Sequence, residues 1–158
     1  MNNQEPKTYE EQEAFVRDAL ERAKALRKKK DYKAGISLLV EALKYGIDKA
    51  MIYYRLGNLY IDGGDLNRAE YAYKRALEVE PHYVNAMHNL AIVYKRQKKI
   101  SLYVKTYKKS QRMELRYPRN VNLSVKKKNQ LRRLSLKVLL WLLAGAGLIA
   151  LLLFLLLR

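Results

Sequence analysis

Residues 50–81 read AMIYYRLGNLYIDGGDLNRAEYAYKRALEVEP, and this segment guides the interpretation of the whole chain. Two of its small residues, Gly57 and Ala69, stand where two antiparallel helices would approach closely. Between them, residues 62–65 predict a turn, because a glycine just past a helix can take a positive φ and Asp65 can cap the helix that follows. Pro81 predicts the end of that second helix. The segment is therefore predicted to form a helix-turn-helix hairpin.

The hairpin resembles the tetratricopeptide (TPR) repeat, whose period is about 34 residues. A tyrosine replaces the tryptophan that opens the TPR pattern, and the other pattern positions agree. The replacement is Tyr53, and the matching residues are Leu56, Gly57, Tyr60, Ala69, Tyr73, Ala76 and Pro81. Because one such hairpin cannot bury both of its faces, the resemblance implies neighbouring copies that stack on either side.

Residues of suitable size recur one TPR period, about 34 residues, before and after the central hairpin. They are Leu90, Ala91, Tyr94, Tyr107 and Ser110 on one side, and Ala23, Leu26, Leu39 and Ala42 on the other. Three residues depart from the pattern: Arg22 stands in the place of Leu56, Tyr103 in the place of Ala69, and Leu115 in the place of Pro81. We predict an all-α fold, a three-repeat TPR helical solenoid over residues 16–117, with repeats at 16–49, 50–83 and 84–117. A polar segment, residues 1–15, precedes it and contains the start of the first helix.

Helical periodicity predicts six helices in these repeats. The first spans about residues 9–30, and the second begins after a cap at Asp31 and ends before Gly46. The others span about residues 50–62, 66–80, 83–97 and 100–116. The apolar residues that recur at helical spacing in the first helix are Ala14, Phe15, Ala19, Ala23 and Leu26. In the second helix, Ile36, Leu39, Val40 and Leu43 are predicted to face inward. Gly57 is expected to tolerate alanine, because Ala91 occupies the equivalent place one repeat later.

Residues 138–157 carry no charge and include eleven leucines. As a helix rising 1.5 Å per residue, this run is about 30 Å long, the thickness of a bilayer's hydrocarbon core. A buried core helix is the alternative, but a domain this small has no interior that surrounds such a helix on all sides. We predict a C-terminal single transmembrane helix at residues 138–157. Seven basic residues from Arg119 to Lys137 precede it and only Arg158 follows, so the repeats are expected on the cytoplasmic side, as in a single-pass, tail-anchored membrane protein.

Positive charge is concentrated just before this run. Residues 1–94 carry 15 basic and 14 acidic side chains, whereas residues 95–137 carry 16 basic side chains and one acid, Glu114. A solvated surface, a nucleic-acid-binding stripe and contact with anionic lipid are the alternatives. Anionic headgroups attract juxtamembrane Lys and Arg by about 1 kcal/mol each, and no nucleic-acid-binding motif is present. We therefore favour a membrane with anionic lipids over nucleic acid as the partner of the basic juxtamembrane segment, residues 118–137. The predicted lipid contacts are Lys126, Lys127, Lys128, Arg132, Arg133 and Lys137.

The sequence offers little for catalysis. It contains no cysteine, which removes thiol chemistry and Cys-based metal sites, and its two histidines, His82 and His88, have no partner at metal-ligand spacing. The glycine pair 63–64 is explained by the turn, so no phosphate loop is predicted. Residues 1–13 are polar and acidic, so no secretory signal peptide is expected. We predict no catalytic residues, no cofactor and no metal, and hence no enzyme.

The TPR resemblance implies that the first helix of each repeat lines a concave groove that binds a protein or peptide segment. The predicted groove residues are Leu20, Lys24, Arg27, Tyr54, Asn58, Ile61, Asn85, His88, Asn89, Ile92 and Lys95. Their mixture of apolar side chains, amides and cations predicts a partner segment with apolar and acidic residues, whose backbone bonds to Asn58. The alternative is that these are ordinary solvent-facing residues.

Two function classes remain. The first is a membrane-anchored TPR adaptor or scaffold that binds another protein through its cytoplasm-facing repeats. The alternative is a structural or assembly subunit of a membrane complex, which acts by self-association as a homo-oligomer or through the convex face of the stack.

Overall fold

The computed structural model describes residues 8–117 and, further along the chain, residues 137, 139, 141, 142 and 145. Six α-helices lie in residues 8–117: α1 (Tyr9–Lys28), α2 (Tyr32–Leu43), α3 (Lys49–Asp62), α4 (Leu66–Val79), α5 (Val84–Arg96) and α6 (Ile100–Arg116). The described residues contain no strand. The predicted all-helical class and the six helices are confirmed, and the predicted helix boundaries agree within two residues.

Side-chain caps begin three of the helices. Asp31 and Asp65 each accept a hydrogen bond from the backbone N–H three residues later, at 3.2 and 2.8 Å, which confirms the predicted caps of α2 and α4. At α1, Thr8 and Glu11 form a capping box: the Glu11 N–H donates to Thr8 Oγ1 at 3.2 Å, and the Thr8 N–H donates to Glu11 Oε2 at 3.1 Å. The capping box was not predicted, although Thr-x-x-Glu is its usual signature.

The helices stack in two layers. Consecutive helices pair as α1–α2, α3–α4 and α5–α6, and the pairs join through α2–α3 and α4–α5. Among the odd-numbered helices, α1 also contacts α3 and α3 contacts α5, whereas within residues 8–117 no Cα atom of α2, α4 or α6 comes within 8 Å of a Cα atom in another of these three helices. The odd helices thus form an inner layer, and the even helices form an outer layer with clefts between them. This is the arrangement of a helical solenoid, in which each hairpin contacts only its neighbours.

The core follows the predicted pattern with exceptions on α1 and α2. Ala19, Ala23 and Leu39 are buried as expected. Val40, however, is 47% exposed, so its predicted inward position is wrong. Ala14, at the start of the apolar spacing of α1, is also exposed. On α1 the inward positions include Val16 and Leu20, which pack in one cluster with residues of α2 and α3. The helical periodicity predicted which side of α1 is apolar. It did not predict which residues at the edges of that side are buried by the next hairpin.

Gly57 lies where α3 crosses α4, as the TPR resemblance implied. A Cβ at this position would come within 2.5 Å of Tyr73 Cε1. The Tyr73 ring is fully buried and its hydroxyl is hydrogen-bonded, so the ring has no free space into which it can move. The expectation that alanine is tolerated here is therefore corrected. In the third repeat Ala91 is buried, and the ring equivalent to Tyr73, that of Tyr107, is only half-buried.

Glu70 joins α4 to the turn between α5 and α6. Its two carboxylate oxygens accept hydrogen bonds from Lys74 Nζ at 2.6 Å and from Lys99 Nζ at 2.9 Å. Burial alone would raise the pKa of Glu70, but the hydrogen bonds from Lys74 and Lys99 outweigh it and lower the pKa to about 2. The carboxylate is therefore a charged link between the second and third hairpins.

The chain divides into two compact units, Met1–Arg119 and Asn120–Arg158. In the second unit, residues 137, 139, 141, 142 and 145 are helical, and Trp141 is 83% exposed. No helix within the part of the chain that the structure describes is both long enough and apolar enough to cross a bilayer. Most of the predicted transmembrane helix, residues 138–157, lies outside the described residues, as does the basic segment up to residue 136.

Candidate partner-binding groove

The inner helices α1, α3 and α5 carry the predicted groove residues, which differ widely in exposure. Lys24, His88 and Lys95 are exposed. Arg27, Tyr54, Asn85, Asn89 and Ile92 are half-buried. Leu20, Asn58 and Ile61 are buried, because each inner helix packs against the next hairpin as well as its own. The predicted contact of these three side chains with a partner is therefore corrected, and the other eight predicted groove residues have exposed or half-buried side chains.

Asn58 takes part in a hydrogen-bond network inside the stack. Its Oδ1 accepts hydrogen bonds from Tyr73 Oη at 2.8 Å and from Asn89 Nδ2 at 2.9 Å, and Asn89 Nδ2 also donates to Tyr73 Oη at 3.3 Å. Burial raises the pKa of Tyr73 well above its usual value, so the hydroxyl remains a donor at neutral pH. The Asn58 carbonyl therefore links the second hairpin to the third, and it does not have the role of bonding a partner's backbone that the sequence predicted.

A cluster of aromatic rings lies beside this network. The Tyr54 ring is 5.0 Å from the Tyr83 ring and 6.2 Å from the Tyr73 ring, measured between centroids. Tyr83 precedes α5, and its hydroxyl donates to Met51 Sδ at 3.1 Å. Burial also raises the pKa of Tyr83. Sequence reasoning did not select Tyr83 or Met51 for the groove. Tyr83 lies just before α5, and the exposed Met51 lies on α3 outside the positions of that helix that were predicted to line the groove.

Most cations predicted for the groove already have contacts within the stack. Arg27 Nε donates to Asp62 Oδ2 at 2.6 Å, and this hydrogen bond raises the pKa of Arg27. Lys24 pairs with Glu21 at 3.5 Å on the exposed surface of α1. Lys95 Nζ lies 5.7 Å from the centroid of the Tyr103 ring. The side chains of Lys24 and Lys95 are exposed, whereas that of Arg27 is half-buried.

Five of the six predicted lipid contacts, Lys126, Lys127, Lys128, Arg132 and Arg133, lie outside the described residues. The sixth, Lys137, is helical and exposed. Among residues 8–117 and the five described residues beyond them, no group of three or more His, Cys, Asp or Glu side chains could hold a metal ion.

Two comparisons with known proteins bear on this arrangement. Residues 57–98, from the middle of α3 to the turn after α5, match a family model described as TPR repeat. A crystal structure of MamA resembles the chain with a TM-score of 0.61 and 23% sequence identity, over 64% of this chain. The fold is a TPR-like helical solenoid. The match spans 59% of the MamA chain, less than two thirds of its length. No curated protein matches the chain significantly.

Proposed function

We propose that the chain is a membrane-anchored TPR adaptor whose inner helices bind a segment of another protein. The TPR-like fold supports a function as a protein-interaction scaffold, and so does the match of residues 57–98 to the TPR repeat model. The observation that carries the groove assignment is the half-buried ring pair Tyr54–Tyr83 on the inner layer. Tyrosine combines an apolar ring with a polar tip at low entropy cost, and it is enriched at protein interfaces for this reason.

The groove residues define the chemistry of the partner segment. Tyr54, Tyr83 and Ile92 offer half-buried apolar surface, while Lys24 and Lys95 offer positive charge at the edges. An extended or helical segment with an apolar side chain flanked by acidic residues matches this combination. The amide of Asn58 is not part of the contact surface in this proposal, because the stack uses its carbonyl.

The membrane part of the proposal depends on the sequence. Twenty consecutive uncharged residues, 138–157, are long enough to span a bilayer as a helix, and the basic residues before them would stay on the cytoplasmic side near anionic lipid. The adaptor would thus be a single-pass protein with cytoplasmic repeats. We further propose that it is not an enzyme and needs no cofactor.

The groove is tested by capturing partners on the purified chain and identifying the captured segment by cross-linking. Tyr54→Ala combined with Lys95→Glu should reduce capture at least about tenfold, because it removes an aromatic contact and reverses an edge charge. The matched control is Tyr71→Ala combined with Lys28→Glu; Tyr71 is 61% exposed on the outer helix α4, and Lys28 is exposed at the end of α1. Equal loss in both double variants would refute the groove. If only copies of the chain itself are captured, the result would support the alternative function, a structural or assembly subunit, over the adaptor.

A further inference from the structure

A cleft of about 400 Å³ opens on the outer layer, between α4 and α6 and above the first half of α5. Its floor is apolar, and lysines dominate its rim. The floor consists of Leu77, Met87, Leu90 and Leu102, and the rim of Lys74, Glu78, Lys105, Thr106 and Lys109. Leu102 is 43% exposed, so apolar surface is accessible within the cleft.

The preceding repeat shows how the chain fills the corresponding place with its own side chains. One TPR period, about 34 residues, separates Tyr53 from Met87 and Arg75 from Lys109. In the second repeat, Arg75 Cζ lies 5.6 Å from the centroid of the Tyr53 ring, and the Arg75 guanidinium also pairs with Glu78. An aromatic ring, a cation and a carboxylate thus pack together where α3 meets α4.

The third repeat keeps the cation but lacks the ring and the carboxylate. Met87 lies in the place of Tyr53, and its unbranched side chain is buried in the floor of the cleft. Arg112 lies in the place of Glu78, so a second cation replaces the acid that pairs with Arg75. The third repeat therefore lacks the aromatic ring and the carboxylate that pack against the cation in the second repeat.

Two of the lysines on the rim of the cleft have no ion-pair partner within residues 8–117 and can therefore bind an anion. Lys74 pairs with Glu70, and Glu78 pairs with Arg75. Lys105 and Lys109 are one turn apart on α6, and within residues 8–117 neither forms an ion pair. Both are exposed. Their positive charge is therefore available to an acidic ligand.

We infer that this outer cleft binds a segment of a partner protein that carries an aromatic side chain beside carboxylates. The partner's ring takes the role that Tyr53 has in the second repeat, on the floor of Leu77, Met87 and Leu102. Its carboxylates take the role of Glu78 and pair with Lys105 and Lys109. This site lies on the outer helices, so it adds a second surface to the groove on the inner helices and does not depend on it.

The test measures binding of a short fluorescent peptide, with one tryptophan flanked by glutamates, to the 158-residue chain in mild detergent. Replacing the tryptophan by alanine, or the glutamates by glutamines, should weaken binding about tenfold or more. Met87→Tyr should weaken it similarly, because it restores the chain's own ring, whereas Met87→Leu should retain binding. Lys105→Gln with Lys109→Gln should weaken binding, whereas Lys44→Gln at the end of α2 should not. Circular dichroism melting of each variant separates loss of binding from loss of fold.

Several results would overturn the inference. Absence of peptide binding, or equal binding by Met87→Tyr and the parent when both are folded, would show that the cleft does not accept a ring. Equal binding of the tryptophan and alanine peptides would reduce the site to a charged patch. Displacement of the peptide by laurate, together with insensitivity to the tryptophan, would assign the cleft to an anionic amphiphile instead. Binding that survives these changes but is lost in Tyr54→Ala would place the peptide in the inner groove.

Discussion

At the scale of single residues, Gly57 and Gly35 show that two helical glycines can have opposite roles. A Cβ at Gly57 would meet the fixed ring of Tyr73 at 2.5 Å, whereas a Cβ at Gly35 would meet the methyl groups of Leu59 at 3.1 and 3.2 Å. A buried ring held by a hydrogen bond cannot yield, but the end of a leucine side chain can rotate or shift slightly. The difference is in the neighbour, because both glycines lie inside helices.

Gly57→Ala should lower the free energy of unfolding by about 1–3 kcal/mol, because the added methyl group overpacks the crossing of α3 and α4. Gly35→Ala is the matched control. It should change stability by less than about 1 kcal/mol, since alanine's better helix propensity offsets a small shift of Leu59. Urea unfolding followed by circular dichroism measures both. Equal stabilities of the Gly57→Ala variant and the parent would contradict the close packing of Gly57 against Tyr73.

Asn58 should matter more to stability than the Tyr73 hydroxyl that it binds. Tyr73→Phe removes one donor, and Asn58 Oδ1 still accepts from Asn89, so the cost should be about 1 kcal/mol. Asn58→Ala leaves the buried Tyr73 hydroxyl and the Asn89 amide without their shared acceptor, so the cost should be about 1–3 kcal/mol larger. Chemical unfolding of the two single variants checks the order, and the reverse order would show that the network does not depend on Asn58.

At the scale of helices, α4 and the loop after α5 are held together by a charge that acid removes. The pKa of Glu70 is about 2 in the folded chain, below the ordinary value of 4.5, because Lys74 and Lys99 donate to its carboxylate. A lowered pKa stabilises the fold when the carboxylate is ionised, that is, above about pH 4.5. This contribution is lost as the pH falls from 4.5 towards 2.

Glu70→Gln should therefore flatten the dependence of stability on pH in this range. The parent should lose about 2 kcal/mol more than the variant between pH 4.5 and 2, because only the parent takes up a proton at this site. Lys99→Gln removes one of the two ammonium donors and should give an intermediate slope. Unfolding free energies measured at several acidic pH values provide the comparison, and parallel curves for the parent and Glu70→Gln would rule out the link.

The helices could largely be predicted from the sequence, whereas the groove could not. The bounds of α2, α3 and α4 were predicted well because they depend on local features of the sequence. These features are Gly57, the two aspartate caps and the repeat period. The exposure of Leu20, Asn58 and Ile61 depends instead on how much of each inner helix the next hairpin covers. The repeat period identifies equivalent residues in different repeats, but it does not predict how much surface a neighbouring hairpin buries. Tyr83 was predicted to begin the fifth helix, but it lies just before α5, and no repeat position assigned it to the groove. The outer cleft could have been found by comparing Tyr53 with Met87, since that comparison needs only the repeat register.

At the scale of the whole molecule, the sequence contains three segments that differ in charge. Residues 1–94 are nearly neutral in sum, residues 95–137 carry a net charge of +15, and residues 138–157 carry none. Such a series, from balanced to basic to apolar, is typical of a domain followed by a membrane anchor. We expect the 158-residue chain to remain in the membrane fraction after alkaline carbonate extraction.

A variant that ends at Lys137 is the control for this expectation. It should dissociate from membranes in carbonate or in high salt, because only the basic residues before the apolar run would still attract anionic lipid. Fractionation followed by immunoblotting distinguishes the two forms. Release of the complete chain by carbonate would show that residues 138–157 do not span the bilayer.

The exposed side chain of Trp141 gives the molecule two separate optical signals. All 13 tyrosines lie in residues 9–117, and the single tryptophan lies in the second unit. Excitation at a wavelength that tyrosine does not absorb therefore reports on the second unit alone, and a blue shift of that emission on mixing with vesicles would record transfer of the indole out of water. Tyrosine absorbance follows the hairpins at the same time. Folding and membrane insertion can thus be timed independently in one sample, without attaching a dye.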